Sequence, residues 1–457
     1  MSIVGPTGPT GPQGPQGERG RNGRMGLDGP TGPAGSSGGG ASLTVLDNPS
    51  AIINNTYTIA SGSTSSNTYL KDCVITTGLN RVYTSFVPGL DNTCYAIVSS
   101  GTDLYVGGDF TTAGGISANR IAKYNTVTGV WSALGSGLDL PGSSCRAIAV
   151  SGSNVYVGGD FASAGGVSVN NIAKWDGSSW SALASGVSNV CLSLAISGTD
   201  LYAGGVFGNA SGVSGTSKIA KWDGSSWSAL GTGLNDQCVT LAVSGSNLYA
   251  GGAFTLANGN TANKIAVWNG TTWSTLGDGF DNQCRSIGFI GSDLYACGFF
   301  TNSGSTPINQ VAKWNGTAWS ALGAGIDGGN PYVLTTLGTD LYVGGFITSA
   351  GGVSVNNIAK WNTLTSTWSA LGNGLNDGPW GLTSVGTELY IGGQFTSVGN
   401  NISSNRITSY TFNYINLVFN SQIVSTLYNN SSGSQVNTYL SGATTYASVT
   451  NNIPFYQ

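Results

Sequence analysis

This chain contains no histidine, only 8% charged residues, and just two glutamates, Glu18 and Glu388. The missing imidazole removes the usual general base and the commonest nitrogen ligand for a metal. No glutamate pair for glycoside cleavage can be assembled, because Glu18 lies in a stalk-like segment, which leaves only aspartates for that chemistry. Net charge is −4, with 16 Lys and Arg against 20 Asp and Glu. Phosphate counterion release needs clustered Lys and Arg, and an acidic balance argues against it, so no nucleic-acid partner is expected. No apolar run approaches the ~18 residues of a membrane-spanning helix, so no membrane span is expected. The start, MSIVGPTGPTG, lacks the basic and apolar regions of a secretory signal peptide.

What the chain has instead is 73 glycines, 12 tryptophans and 19 tyrosines, with Ser, Thr and Asn in place of charge. Ordinary globular proteins carry about a quarter charged residues, so this balance points to an all-β, exterior-type protein. At 457 residues it is too long for one ordinary core, and a repeat architecture or several domains are expected.

Glycine occupies every third position from Gly5 to Gly38, in triplets reading GPT-GPT-GPQ-GPQ-GER-GRN-GRM-GLD-GPT-GPA-GSS. Only glycine fits the axis where three polyproline II strands meet, so residues 1–40 are expected to be a collagen-like stalk, a rod of roughly 100 Å. Three chains per rod imply a homotrimer. Proline takes the X position (Pro6, Pro9, Pro12, Pro15, Pro30, Pro33) and never Y, so a rod this short needs another domain to hold its chains in register. The segment resembles the collagen-like stalks of bacterial spore-surface and giant-virus proteins.

Residues 41–72 read as a joint and β neck, with SSGGGAS followed by the strand-like LTVLD and TYTIA. Beyond them a phrase recurs: Tyr-x-(Gly/Cys)-Gly at Tyr105, Tyr156, Tyr202, Tyr249, Tyr295, Tyr342 and Tyr390, spaced by 46–51 residues. That period, with four short strands per unit, is the mark of β-propeller blades. In one unit, CRAIAVSG is the inner strand, NVYVGGDF the second, NIAKWD the third and WSALASG the outer. Steps such as Asp176-Gly177 and Asn269-Gly270 sit at the hairpin between the third and fourth strands.

These motifs resemble kelch-type propellers, where a Gly-Gly pair ends the second strand and two aromatics follow. Gly107-Gly108 precede Tyr124 and Trp131, and Gly344-Gly345 precede Trp361 and Trp368; other blades shorten the gap, as in Trp175/Trp180. The resemblance implies architecture rather than activity. A copper site like that of galactose oxidase, which uses histidine, is excluded.

The outer Trp-Ser-x-Leu strand appears six times, against seven second strands. RVYTSFVPGLDNTC (81–94) aligns with GVWSALGSGLDLPGSSC (129–145), so an N-terminal outer strand should complete the last blade. The expected fold is a seven-bladed propeller over 73–411, closed by that strand. Closure hides sheet edges that would otherwise aggregate. Both 73–77 (CVITT) and 405–411 fit the third strand of the last blade. The C-terminal β segment, 412–457, has no blade motif, and with 43–72 is expected to form a small flanking β domain beside the ring.

Candidate chemistry is sparse. Cys94, Cys145, Cys191, Cys238 and Cys284 each lie 11 residues before a blade tyrosine, with Pro331 and Pro379 in the equivalent places. Spread round a channel, these thiols do not converge on a metal ion, and small buried thiols suit crowded inner strands. Asp91, Asp139, Asp236, Asp281, Asp327 and Asp377 recur in the loops between blades, on one rim. They fit either a cation over the channel or the capping of tight turns. On the same rim, GGNPYV and NDGPWG add Tyr332 and Trp380, which fit sugar stacking or a plug in the channel mouth. The IAKW lysines (Lys123, Lys174, Lys221, Lys313, Lys360) are expected to solvate the blades.

The composite expectation is a non-enzymatic trimeric fibre or adhesin on the surface of a particle, virion or spore, without a signal peptide. Its heads would bind a glycan or protein receptor, with no cofactor and no metal. The alternatives are a carbohydrate-active propeller enzyme using aspartates, and a purely structural coat component.

Overall fold

The computed structural model describes residues 57–61, 64–68, 81–138, 142–412, 425–429 and 435–439. The Gly-X-Y triplets, the residues at 73–77, and Asp139 lie outside them. The described strands belong to two compact units. One contains a four-stranded antiparallel sheet ordered Tyr57–Ser61, Thr64–Thr68, Ser425–Asn429, Gln435–Tyr439.

The other unit is a seven-bladed propeller. Blade 1 runs Cys94–Ser100, Asp103–Gly108, Ile121–Asn125, Val130–Ala133, each strand antiparallel to the one before. Blades 2 to 6 repeat this pattern, with inner strands Ser144–Ser151, Cys191–Ser197, Cys238–Ser244, Cys284–Ile290 and Ile326–Leu337. The two-residue turn between inner and second strands begins with glycine in every blade. Gly101 has φ 58° and Gly198 φ 58°, a left-handed conformation that glycine adopts without a Cβ penalty. Each inner strand packs on the next one round the ring, including that of blade 7 on that of blade 1.

Blade 7 combines both ends of the repeat. Pro379–Val385, Glu388–Gly393 and Ile407–Phe412 supply three strands, and Arg81–Ser85 supplies the outer fourth. The register runs from Arg81 opposite Phe412 to Ser85 opposite Thr408. The third-strand slot therefore belongs to Ile407–Phe412.

Adjacent blades are joined by two repeated devices. In the first, an outer-strand indole N–H donates to the leucine carbonyl of the preceding outer strand. The pairs are Trp180 to Leu134 (2.8 Å), Trp227 to Leu183 (3.0 Å), Trp273 to Leu230 (2.9 Å), Trp319 to Leu276 (2.9 Å) and Trp368 to Leu322 (2.8 Å). Each of these indoles also pairs with a third-strand ring, as Trp180 does with Trp175 at a centroid distance of 5.4 Å.

The second device joins the inner-strand thiols to the Gly-Gly pairs. A Cβ built on Gly158 would stand 2.6 Å from Cys191 Sγ, and one on Gly204 2.8 Å from Cys238 Sγ. Glycine is required there because the thiol of the next blade fills the space a side chain would need. Cys297 takes the place of that glycine in blade 5, one blade before Pro331 replaces the thiol.

The lysines do more than solvate. Lys123, Lys221, Lys313 and Lys360 pair with Asp103, Asp200, Asp293 and Asp340 at 3.2, 3.0, 2.7 and 3.0 Å. Each pair lies across the second and third strands of one blade. In blade 2, Asn154 stands at the sequence position that holds the paired aspartate in those blades.

Candidate functional site

The rim aspartates are occupied by the fold. Asp91 accepts from the Thr111 N–H (2.8 Å), the Thr112 N–H (3.0 Å) and the Thr111 hydroxyl (2.5 Å). Asp281 does the same with Thr301 and Asn302 at 2.7–2.9 Å. Each carboxylate thus clamps the hairpin between the second and third strands of its blade. Asn235 and Asn376 make the same clamp from the same position, so it needs an acceptor and not a charge. Burial works against the ionised form at Asp91 and Asp281, but the hydrogen bonds outweigh it and hold both carboxyls below the usual range.

Asp236 and Asp377 sit one position further on and accept from the next residue's N–H, both at 2.7 Å. Asp327 accepts from the Gly352 N–H at 3.0 Å. Asp139 lies outside the described residues. The five others serve separate loops, and among the described residues no cluster of acids and thiols is arranged for a metal ion.

Tyr332 and Trp380, by contrast, are brought together, with ring centroids 4.6 Å apart. A recurring backbone device explains their position. In all seven blades the register slips by one just after the start of the inner strand, where the Cys or Pro is followed by a single bulged residue. The bulged residues are Tyr95, Arg146, Leu192, Val239, Arg285, Tyr332 and Trp380. β-Bulges re-aim a side chain and break the pairing locally, which is why they recur beside binding sites. Here seven of them set a ring of half-buried side chains at the rim end of the inner strands.

Five consecutive members of that ring touch. Arg285 lies 5.1 Å from the Tyr332 centroid, Trp380 lies 6.0 Å from Tyr95, and Arg146 stands 3.9 Å above Tyr95. Phe346 and Phe299 support the run from the second strands, at 5.6 and 5.3 Å from Tyr332. Tyr95 donates to Asp109 at 2.8 Å, which fixes its ring. Leu192 and Val239 give the circle an apolar side.

The run ends in a cation on each side, and neither arginine forms an ion pair among the described residues. Burial lowers the Arg285 pKa, a sign that its charge is poorly solvated where it stands. Among the described residues, Arg285 Nε and Trp380 Nε1 are buried donors without a partner. Buried donors are rarely left unmet, so both mark an unsatisfied hydrogen-bonding demand within the run. Stacking faces flanked by two cations are what a planar or ring-shaped anion needs.

The described cysteines offer no second chemistry. All six are free and buried, and burial pushes Cys145 and Cys191 up to about 12, far from a reactive thiolate.

Residues 89–243 match the family model of the Rax2 C-terminal beta propeller domain. That match covers roughly a third of the chain. Among solved structures, the WD40 beta propeller domain of Doa1 is 10% identical with a TM-score of 0.48, covering 73% of this chain and 98% of that one. The computationally designed Ika8 protein is 15% identical with a TM-score of 0.43, covering 71% and 97%. No curated protein matches.

Sequence reasoning singled out Tyr332 and Trp380, as a sugar-stacking pair or a channel plug, because their blades break the consensus. It missed Tyr95, Arg146 and Arg285, which complete the run. The signal was available: each follows the aligned Cys by one residue. Phe299 and Phe346 likewise follow the Gly-Gly or Cys-Gly step directly.

Proposed function

We propose that this protein is a trimeric, non-catalytic surface fibre of kelch-like propeller heads on a collagen-like stalk, and that each head binds an acidic glycan at the bulge ring. The observation that carries the binding site is the unbroken run Arg285, Tyr332, Trp380, Tyr95, Arg146 across five neighbouring blades. Aromatic faces stack on the C–H faces of a sugar ring, and the flanking guanidiniums hold a carboxylate or sulfate. The rim aspartates are engaged in clamping loops, which speaks against an acid pair for catalysis. Strict Gly-X-Y phase from Gly5 to Gly38 supports the stalk. The sheet that joins 57–68 to 425–439 supports a flanking β domain as the trimerising element. The low charge and the Ser-, Thr- and Asn-rich composition support placement on a particle surface.

A glycan array carrying neutral and acidic oligosaccharides, run with parallel turnover assays, tests the reading. Retention of acidic glycans without product supports it. Product formation, or no retention of any glycan, overturns the binding reading. Light scattering and negative-stain microscopy test the fibre, which requires three discs on one stem.

A further inference from the structure

The junction between blades 7 and 1 differs from the other six. Five junctions carry a tryptophan-to-leucine hydrogen bond, and at the sixth Tyr83 donates to the Leu371 carbonyl at 2.8 Å. At the seventh, Phe86 takes the leucine's place, and among the described residues no bond joins Trp131 Nε1 to its carbonyl. The seam opens instead into a cavity of about 500 Å³ lined by Phe86, Tyr124, Trp131, Glu388, Tyr390 and Ser409 among others. That volume lies within the range of small-ligand sites.

Three of its rings surround a fourth. Phe86 lies 4.7 Å from Tyr124, 6.1 Å from Trp131 and 6.2 Å from Tyr390, and Tyr124 lies 4.9 Å from Trp131. Glu388 supplies the charge. It occupies the place held by Asp103, Asp200, Asp293 and Asp340 in other blades, each paired there with a lysine. In blade 7 that lysine is replaced by Ser409, which stands opposite Tyr390. Glu388 accepts instead from the Tyr390 hydroxyl and from Thr411 Oγ1, the latter at 2.9 Å. These bonds orient the carboxylate but bring no positive charge, and no ion pair to Glu388 exists among the described residues.

An anion with no counter-cation among the described residues, beside four aromatic rings in a cavity, suits a weakly hydrated cation. An alkylated ammonium fits best, because its spread charge is drawn to ring quadrupoles and its methyl groups bury apolar surface. A bare ammonium or a metal ion would lose hydration that the rings cannot replace. We infer that the blade 7–blade 1 seam is a binding site for a trimethylammonium group, with Glu388 as counter-ion and the packed cluster of Phe86, Tyr124, Trp131 and Tyr390 as its aromatic wall. The site lies apart from the bulge ring and does not depend on it.

The test is calorimetric titration of the full chain with choline and with 3,3-dimethylbutanol, its neutral isostere. Choline should bind at least tenfold more tightly; equal affinity, or no choline binding, overturns the inference. Glu388→Gln and Tyr124→Leu should each weaken choline at least tenfold, whereas Trp175→Phe in blade 2 should leave it unchanged. If both seam variants bind choline like the parent, the site is elsewhere and the inference fails. Flotation with phosphatidylcholine vesicles, in the presence and absence of free choline, separates a lipid-borne source from a soluble one. Choline-sensitive flotation assigns the lipid form, and choline binding without flotation assigns the soluble form.

Discussion

The Tyr83 hydroxyl donates to the Leu371 carbonyl at 2.8 Å across 288 residues of sequence. It thereby takes the part that an indole N–H plays at five other junctions, and it ties the N-terminal outer strand to blade 6. Tyr83 is deeply buried, and burial raises its pKa well above the ordinary phenol value. Tyr83→Phe should lower stability by about 1–3 kcal/mol, the cost of a buried carbonyl left unpaired. Chemical denaturation of the full chain measures it, and a loss below about 0.3 kcal/mol would show the bond to be incidental.

The glycine–thiol contact between blades predicts a compensating pair. Gly158→Ala places a methyl group against Cys191 Sγ and should cost about 1–3 kcal/mol through overpacking. Cys191→Ala removes the atom it strikes, so the double variant should recover much of that loss. A double-mutant cycle reads the coupling; strict additivity would mean the two side chains do not meet.

The clamping aspartates set an acid dependence. Because their carboxyls are held below the usual range, the unfolded chain binds more protons at low pH than the folded one. Asp91 and Asp281 therefore contribute stability that is present above about pH 4 and is lost as pH falls through their lower folded values. Asp91→Asn with Asp281→Asn should keep the clamp at pH 7, as Asn235 and Asn376 do, and lose only the part of the stability that comes from ionisation. The same variant should show a shallower fall in urea midpoint between about pH 4 and pH 2. An unaltered acid slope would refute the assignment.

At the bulge ring, Trp380→Ala should weaken acidic glycan binding at least tenfold, about 1.4 kcal/mol. Arg285→Gln should chiefly erase the preference for acidic over neutral sugars. Leu192→Ala, on the apolar side of the circle, should do neither. Surface-immobilised glycans with matched thermal melts distinguish lost contacts from lost folding.

Much of the architecture was legible because repetition amplifies weak signals. A single Tyr-x-Gly-Gly means little, but seven at nearly constant spacing define blades, and counting Trp-Ser-x-Leu exposed the strand borrowed from 81–85. The aspartates allowed two readings for a related reason. Their recurrence is real, but Asn235 and Asn376 in the matching register reveal an acceptor role rather than a shared charge. The bulge ring was harder to see. Tyr95, Arg146, Leu192, Val239, Arg285, Tyr332 and Trp380 share no chemistry, so only the backbone slip common to their positions unites them. The seam was hidden too, because Glu388 is informative only once Ser409 is known to stand where its lysine would be.

The outermost strand of blade 7 is made before all the rest of the ring, yet its partner comes last. Thr84 and Thr408, joined by a hydrogen bond at 3.0 Å, are 324 residues apart. At about 5–20 residues per second on a ribosome, the early strand waits on the order of half a minute for its mate. Six blades have time to take shape meanwhile, and the final latch depends on the slow search of one chain end for the other. A ribosome that stalls inside the last fifty or so residues of the ring would release an unlatched crescent, prone to borrow the missing strand from a neighbour.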